Sequence, residues 1–201
     1  MRINSGILGR RNFEVPKDGL RPTMEQAREA VFSSLAARVP GARVLDLFAG
    51  SGSLGLEAWS RGAASVTAVE QNSKHWKILQ GNFQSLEGDP DLGDWQAVHA
   101  DVYGYLKKIP RPPSAATEGR SVGAGGDRAD VAGFDLVFAD PPYEEADLPK
   151  LLEALRGVLA PDGLLVFEMR AHGAYSLPPE WILIKEKRYG GTRMLYLELV
   201  K

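Results

Sequence analysis

Four consecutive residues, Asp140-Pro141-Pro142-Tyr143, have the types and the spacing to act on a planar amine. The lone pair of such an amine is delocalised into its ring, so the nitrogen attacks only when acceptors hold its N–H bonds. The Asp140 carboxylate can supply one acceptor and the Pro141 carbonyl the other. Two prolines stiffen the turn, so these acceptors are placed before a substrate arrives. The Tyr143 ring offers a face on which an unpaired or flipped base can stack.

A second stretch, Arg43 to Gly55, has the pattern of a strand, a Gly-rich turn and the start of a helix. This order predicts a nucleotide-type site, and Gly50 and Gly52 let the backbone approach a ligand closely. The spacing of the glycines also fits a dinucleotide site. Asp46, just before the loop, would repel a pyrophosphate but suits a cation such as the sulfonium of S-adenosylmethionine. A methyl-donor site is therefore the main interpretation, with a dinucleotide site and a purely structural turn as alternatives.

Further candidates for cofactor binding follow the second and third predicted strands. Glu70 ends Ser65–Glu70, where doubly wound folds place a carboxylate for the ribose hydroxyls; an ordinary strand-end charge is the alternative. Asp101 follows Trp95–His99 and can accept a hydrogen bond from the adenine amine; a helix cap is the alternative. The candidate cofactor residues are Asp46, Phe48, Gly50, Ser51, Gly52, Glu70, Gln71, Asp101 and Val102.

Strands and helices must alternate to bring these residues together. The predicted strands are Ser65–Glu70, Trp95–His99, Phe134–Ala139, Leu164–Glu168, Trp181–Lys187 and Met194–Val200, after a first strand that begins at Val44. The predicted helices include Met24–Ala37, capped by Thr23 with Gln26, a helix from Ser73 onward, and Leu148–Leu159. This alternation predicts an α/β fold with a doubly wound, mostly parallel, seven-stranded sheet that ends in an antiparallel hairpin.

The domain organisation is predicted to be one domain with a small appendage. Residues 1–22 have the pattern of a short β extension, and residues 23–201 that of the main domain. Residues 110–133 are rich in Pro, Gly, Ala and Ser and predict a flexible surface insertion. The extension carries more basic than acidic side chains, so it could form part of a basic face; scattered solvated charge is the alternative interpretation.

Composition excludes several other classes of protein. The chain has 201 residues, a formal charge of −2 and no cysteine, so disulfides and thiolate metal sites are excluded. Its three histidines have no metal-ligand spacing, so no metal is expected. No apolar run approaches a membrane span, and the N-terminus lacks the apolar core of a signal peptide. These features are compatible with a cytoplasmic location.

Three sequence stretches carry a resemblance to a known family. They are R-I-N-S-G…G-R-R, L-R-P-T-M-E-Q-A-R-E-A-V-F-S-S-L, and V-L-D-L-F-A-G-S-G-S-L-G-L-E-A-W-S-R-G-A. Together with D-P-P-Y they resemble the RsmD family of bacterial 16S ribosomal RNA guanine-N2 methyltransferases. The resemblance fails in the 110–133 insertion.

The resemblance implies a class I, Rossmann-like methyltransferase that uses S-adenosylmethionine. Its substrate would be guanine-966 of 16S rRNA, in free RNA or in an assembling 30S subunit, and the protein would be a monomer. The residues implied for RNA contact are Arg2, Arg10, Arg11, Arg21 and Thr23, and those implied for catalysis are Asp140, Pro141, Pro142 and Tyr143.

Two other functions remain open at this stage. D-P-P-Y is also typical of DNA adenine methyltransferases, so an adenine-N6 methyltransferase of DNA or RNA is the first alternative. The chain has no room for a separate DNA-recognition domain, which argues against a DNA substrate. A non-catalytic, RNA-binding assembly factor is the second alternative, and the intact motifs argue against it.

Overall fold

The computed structural model describes residues 1–16, 22–110, 133–142 and 147–201. The strands are β1 (Arg43–Leu47), β2 (Ser65–Glu70), β3 (Asp94–His99), β4 (Phe134–Ala139), β5 (Leu159–Arg170), β6 (Trp181–Tyr189) and β7 (Thr192–Leu199). They form one seven-stranded sheet in the order β3-β2-β1-β4-β5-β7-β6. The first five strands run parallel, and β7 pairs antiparallel with both β5 and β6. The predicted doubly wound sheet with a C-terminal antiparallel hairpin is confirmed.

Helices cover both faces of this sheet. They are α1 (Pro22–Ser34), α2 (Ser53–Ser60), α3 (Ser73–Leu86), α4 (Val102–Leu106) and α5 (Leu148–Leu155). Strand β4 shows the layering: Leu136 and Phe138 pack in the apolar cluster that includes α1, α2 and α3, and Val137 and Ala139 pack in the cluster of α4 and α5. A strand buried on both faces is apolar, as β4 is from Leu136 to Ala139.

Several predicted boundaries differ from the observed ones, and three of the differences have a clear local reason. Helix α1 begins at Pro22 instead of Met24, because proline suits the first helical position, where no N–H needs a partner; Thr23 is therefore inside the helix and does not cap it. Helix α5 ends at Leu155, not Leu159, since Gly157 turns the chain with φ +71°. Strand β5 begins at Leu159, not Leu164, and an irregularity in its pairing with β4 accommodates the turn residues between them.

The first sixteen residues pack on the α2–α3 side of the sheet. Their only β pairing in the described residues is a single antiparallel bridge between Arg2 and Asn12, less than the predicted β extension. Ile3, Leu8 and Phe13 are buried in the core, which anchors the segment. Buried Arg28 of α1 donates to the Arg2 carbonyl at 2.7 Å, so the segment is also held by its backbone.

Candidate active site

The carboxyl ends of the parallel strands bring the predicted site residues to one edge of the sheet. From β1 the chain passes to β2 on one side, and from β4 it passes to β5 on the other side, so the strand order reverses between β1 and β4. Sheets of this kind bind ligands in the crevice at that point. Leu47 of β1 pairs with Val69 of β2 and with Ala139 of β4. Glu70 and Asp140, the next residues on those strands, therefore flank the loop that leaves β1.

The Gly-rich loop, residues 48–52 between β1 and α2, has a backbone that few other residues could adopt. Gly50 and Gly52 have φ of +56° and +84°, and Phe48, which is not glycine, has φ of +58°. Gly50 faces open space, with no atom within 4 Å of where a Cβ would stand. Positive φ in a non-glycine residue carries strain and is concentrated at ligand sites. The loop thus has both the open space and the unusual backbone of a ligand-binding turn.

Gly52→Ala is expected to destabilise the protein by about 1–3 kcal/mol, because alanine at this φ is strained. The new Cβ would also stand 2.5 Å from Leu79 Cδ1 and 3.3 Å from Phe83 Cε2. Thermal unfolding measures the effect. The matched control is Gly81→Ala on α3, where a Cβ meets nothing within 4 Å and helix propensity favours alanine, so its melting temperature should rise. A Gly52→Ala protein as stable as the wild type would contradict this account of the loop.

Asp46 is buried, with 2% of its surface exposed. Its Oδ2 accepts a hydrogen bond of 2.9 Å from the Gly55 backbone N–H, so the carboxylate ties β1 to the start of α2. The pKa of Asp46 is raised to about 7: burial is the largest cause, the charges of Asp140 and Glu70 also raise it, and the hydrogen bond from Gly55 lowers it. The three carboxylates are therefore close enough to interact. Such a site favours a cation over a phosphate anion.

Glu70 is also buried, and both of its carboxylate oxygens hold backbone N–H groups. Oε2 accepts from Gly50 at 2.8 Å and Oε1 from Asn72 at 2.6 Å. Each oxygen keeps a second lone pair for another donor. Glu70 thus fixes the Gly-rich loop and remains able to accept from a ligand hydroxyl group, which is more than a solvated strand-end charge would do.

The residues after β2 and β3 are placed at the same edge. The exposed side chain of Asp101 caps α4 by accepting from the Gly104 N–H at 2.6 Å, so the helix-cap reading is confirmed and its adenine contact stays a prediction. Val102 is buried against the α4–α5 side of the sheet. Gln71 is exposed, and its carbonyl lies 3.0 Å from His99 Nε2.

The D-P-P-Y residues are partly described. Asp140 is half-buried, Pro141 is buried and Pro142 is exposed. Tyr143 lies outside the described residues, as does the Arg21 predicted to contact RNA; the side chain of Thr23 is not described either. The charge of Asp140 acts on Asp46, so the two predicted functional motifs meet in one site.

A cleft of about 900 Å³ opens beside Asp101, and sequence reasoning missed most of its walls. Its lining comprises Asp101, Tyr103, Asp147, Leu148, Pro149, Lys150, Met169, Ala174, Tyr175 and Ser176. Lys150 Nζ lies 4.0 Å from the centre of the Tyr103 ring, a cation–π contact. The one sequence signal for these residues is that each lies at or just after the carboxyl end of a strand or near the start of the next helix.

The basic side chains of the N-terminal segment face solvent. Arg2, Arg10 and Arg11 are exposed, whereas Ile3 and Leu8, which lie between Arg2 and Arg10, are buried. Arg10 has a φ of +69°, and its N–H donates to the Ile3 carbonyl at 2.8 Å. The packing thus holds a strained arginine at the surface, which points to a function for its position.

The described parts of the chain contain neither a membrane-spanning helix nor a cluster of metal ligands. In those parts of the chain, no helix has the length and apolar character to cross a bilayer. Within the same residues, no group of three or more His, Cys, Asp or Glu side chains is arranged to hold a metal ion.

Comparison with known proteins links this site to a family. The sequence profile of the family described as Conserved hypothetical protein 95 matches residues 1–117 and 123–198, and the break falls inside the predicted insertion. The ribosomal RNA small subunit methyltransferase D of Escherichia coli K12 is 31% identical over 194 residues, which cover 94% of this chain and 85% of that protein.

Solved structures agree with the observed fold. The structure of yhhF from Escherichia coli, described as a methyltransferase, has a TM-score of 0.78 and 30% identity, and the match covers 99% of this chain and 97% of that one. SMU.776, a methyltransferase complexed with SAH, has a TM-score of 0.64 at 16% identity, over 90% of this chain and 50% of that one. The second likeness concerns the fold alone.

Proposed function

Since this chain belongs to the family described as Conserved hypothetical protein 95, the RsmD family, we propose that it methylates small-subunit ribosomal RNA with S-adenosylmethionine as donor. The observation that carries the proposal is the meeting of Asp46, Glu70 and Asp140 at the crevice of a doubly wound sheet. Within that RNA, the atom that accepts the methyl group is the exocyclic N2 of a guanine, guanine-966 in the usual rRNA numbering. That choice is supported by the RsmD resemblance of the Arg-Pro-Thr and D-P-P-Y stretches.

The residues of the crevice fit the proposed cofactor. When bound, S-adenosylmethionine supplies a methyl group on a positively charged sulfur. The Asp46 carboxylate offers the negative charge that this cation and the ammonium group need, and the free lone pairs of Glu70 can accept from the ribose hydroxyls. Gly50 leaves open space for the ligand, and Asp101 stands at the neighbouring strand end for the adenine amine. Phe48, Ser51, Gln71 and Val102 complete the proposed cofactor set.

The remaining chemistry belongs to Asp140 and the residues after it. The Asp140 carboxylate and the Pro141 carbonyl would each accept one N–H of the target amine, which turns the nitrogen lone pair out of conjugation. Because Pro142 follows Pro141, these acceptors are held in place in advance and need little reorganisation. Asp140 need not be a strong base, since the amine becomes acidic only while it attacks. Tyr143 would stack on the flipped base.

Arg2, Arg10 and Arg11, with Arg21 and Thr23, are proposed to contact the RNA. Phosphate contacts by arginine release counterions, so each contact contributes to the salt dependence of binding. The exposure of the first three residues on a segment that is otherwise anchored in the core supports this role.

Arg10→Gly is expected to weaken binding to 30S subunits and to flatten its salt dependence by about one unit of slope in a log–log plot. Glycine adopts a φ of +69° without strain, so the variant should be at least as stable as the wild type. Filter binding between low and high salt measures the slope, and thermal unfolding serves as the control. A slope equal to that of the wild type would remove Arg10 from the RNA surface.

The proposed reaction is tested by comparing methyl acceptors. Tritiated methyl transfer is measured with 30S subunits from a strain lacking the enzyme, with naked 16S rRNA, with fully modified 30S subunits and with duplex DNA. Incorporation into the unmodified 30S subunits or their RNA alone supports the proposal. Incorporation into DNA would favour the adenine-N6 alternative, and cofactor binding with no incorporation into any acceptor would favour the assembly factor.

A further inference from the structure

A single buried amide joins the N-terminal segment to the Gly-rich loop. Asn82, on α3, is 4% exposed. Its Oδ1 accepts from the Glu14 N–H at 2.8 Å, and its Nδ2 donates to the Glu14 carbonyl at 2.8 Å and to the Ser51 carbonyl at 2.9 Å. Both amide hydrogens and the amide oxygen are used, so the side chain connects three separate parts of the chain.

An amide is an unusual choice for this position. The other buried residues on the same face of α3 are Leu79, Phe83 and Leu86, all apolar. An apolar residue would add to this core, whereas a buried amide is unfavourable unless its polar atoms are satisfied. Hydrogen bonds, unlike apolar contacts, fix the relative position of the groups that they join. Asn82 therefore holds Glu14 and Ser51 in a defined geometry.

Both partners of Asn82 belong to parts of the proposed site. Glu14 follows the arginines of the N-terminal segment and is adjacent to the buried anchor Phe13. Ser51 lies between Gly50, whose N–H is held by Glu70, and Gly52, whose close approach to Leu79 excludes a side chain. A shift at Glu14 would therefore be transmitted to the Gly-rich loop through one side chain.

We propose that Asn82 is a positioning residue that couples RNA binding to cofactor binding. RNA held by the N-terminal segment would fix Glu14, and through Asn82 it would hold the Gly-rich loop in the form that receives the cofactor. The coupling is reciprocal, so bound cofactor would tighten RNA binding by the same factor. This inference rests on the proposed RNA-binding role of the N-terminal segment.

The test is equilibrium dialysis of radiolabelled S-adenosylhomocysteine, which cannot be turned over, with and without saturating 30S subunits that lack the modification. In the wild type, the subunits should lower the Kd of S-adenosylhomocysteine by about tenfold. Asn82→Leu should bring this ratio close to one. The matched control is Ser60→Ala: Ser60 also holds the segment, through Leu8 N–H and the Ser5 carbonyl, but it has no bond to the loop. Its ratio should stay near tenfold.

The outcomes separate this inference from the proposed function. A wild type that binds 30S subunits with a ratio of one, or an Asn82→Leu ratio equal to that of the wild type, overturns the coupling alone. A wild type that does not bind the subunits overturns the proposed function and the coupling with it. If Asn82→Leu does not fold, the coupling is tested by amide hydrogen exchange of residues 50–56 in the wild type, with and without 30S subunits and in the absence of cofactor. Slower exchange on adding the subunits supports the coupling. Unchanged exchange overturns it.

Discussion

Replacing Asp140 with alanine is expected to slow methyl transfer by about a thousandfold or more, while S-adenosylmethionine still binds. The variant removes the carboxylate acceptor of the target amine and leaves only the Pro141 carbonyl. Cofactor affinity should hold, because Asp140 raises the pKa of Asp46 and its removal makes the Asp46 carboxylate easier to ionise. Single-turnover transfer measures the rate, and calorimetric titration measures cofactor binding.

The matched control for Asp140→Ala is Asp135→Ala. Asp135 lies on the same strand, but near its amino end, where its carboxylate pairs with Arg43 at 3.1 Å. Loss of this pair can affect stability but not the crevice at the other end of β4, so the rate constant of transfer should remain close to that of the wild type. Near-normal methyl transfer by Asp140→Ala would contradict the proposed role of Asp140, even if the proposed reaction and substrate were correct.

Asp46→Asn is expected to stabilise the cofactor-free protein at neutral pH and to weaken the binding of S-adenosylmethionine until titration no longer detects it. Asparagine can still accept the hydrogen bond from the Gly55 N–H, so the contact between β1 and the start of α2 is preserved. It brings no charge, so the unfavourable burial of a carboxylate beside Asp140 and Glu70 disappears. The negative charge that the proposed cofactor needs disappears with it.

The difference in stability between Asp46→Asn and the wild type should depend on pH. Burial raises the pKa of Asp46 from 3.8 to about 7, so between these values the folded protein binds more protons than the unfolded chain. The Asp46 contribution to stability therefore falls as pH rises through this window. The melting temperature of Asp46→Asn should equal that of the wild type near pH 4 and exceed it by roughly 5–10 °C above pH 7.

Thermal unfolding across this pH range and titration with S-adenosylmethionine measure the two effects of Asp46→Asn. Asp94→Asn, which removes an exposed carboxylate at the amino end of β3, away from the crevice, is the control for the loss of one charge. A difference between Asp46→Asn and the wild type that is independent of pH would show that burial of the carboxylate has been misjudged. Unchanged cofactor affinity would remove Asp46 from the cation site.

The strands were the most predictable elements. Ser65–Glu70 and Phe134–Ala139 were predicted with the observed bounds, because each is short and mainly apolar and has a carboxylate at its end: Glu70 is the last residue of β2 and Asp140 follows β4. The start of α1 was less predictable, because Thr23 is a good cap and Pro22 is a good first helical residue, and sequence alone does not choose between them. Helix ends and bulges depend on local backbone conformations such as that of Gly157, which the pattern of residues does not specify.

The site was predictable where the motif and the chemistry share a short stretch. Asp46, Glu70 and Asp140 could be found because each lies at or next to the carboxyl end of a strand: Asp46 is the penultimate residue of β1, Glu70 ends β2 and Asp140 follows β4. Contacts between distant stretches could not be found in this way. Neither the bond from Asp46 to Gly55 nor that from Asn82 to Ser51 has a sequence signature, because both depend on how α2 and α3 pack against the loop.

The most direct test of the central claim is the identity of the nucleoside that receives the methyl group. Unmodified 30S subunits are incubated with the enzyme and labelled S-adenosylmethionine, the RNA is digested, and the labelled nucleoside is identified and mapped by mass spectrometry. The proposed reaction predicts N2-methylguanosine at one position of 16S rRNA, guanine-966. N6-methyladenosine would contradict the assignment of the base, although the fold and the role of Asp140 would stand.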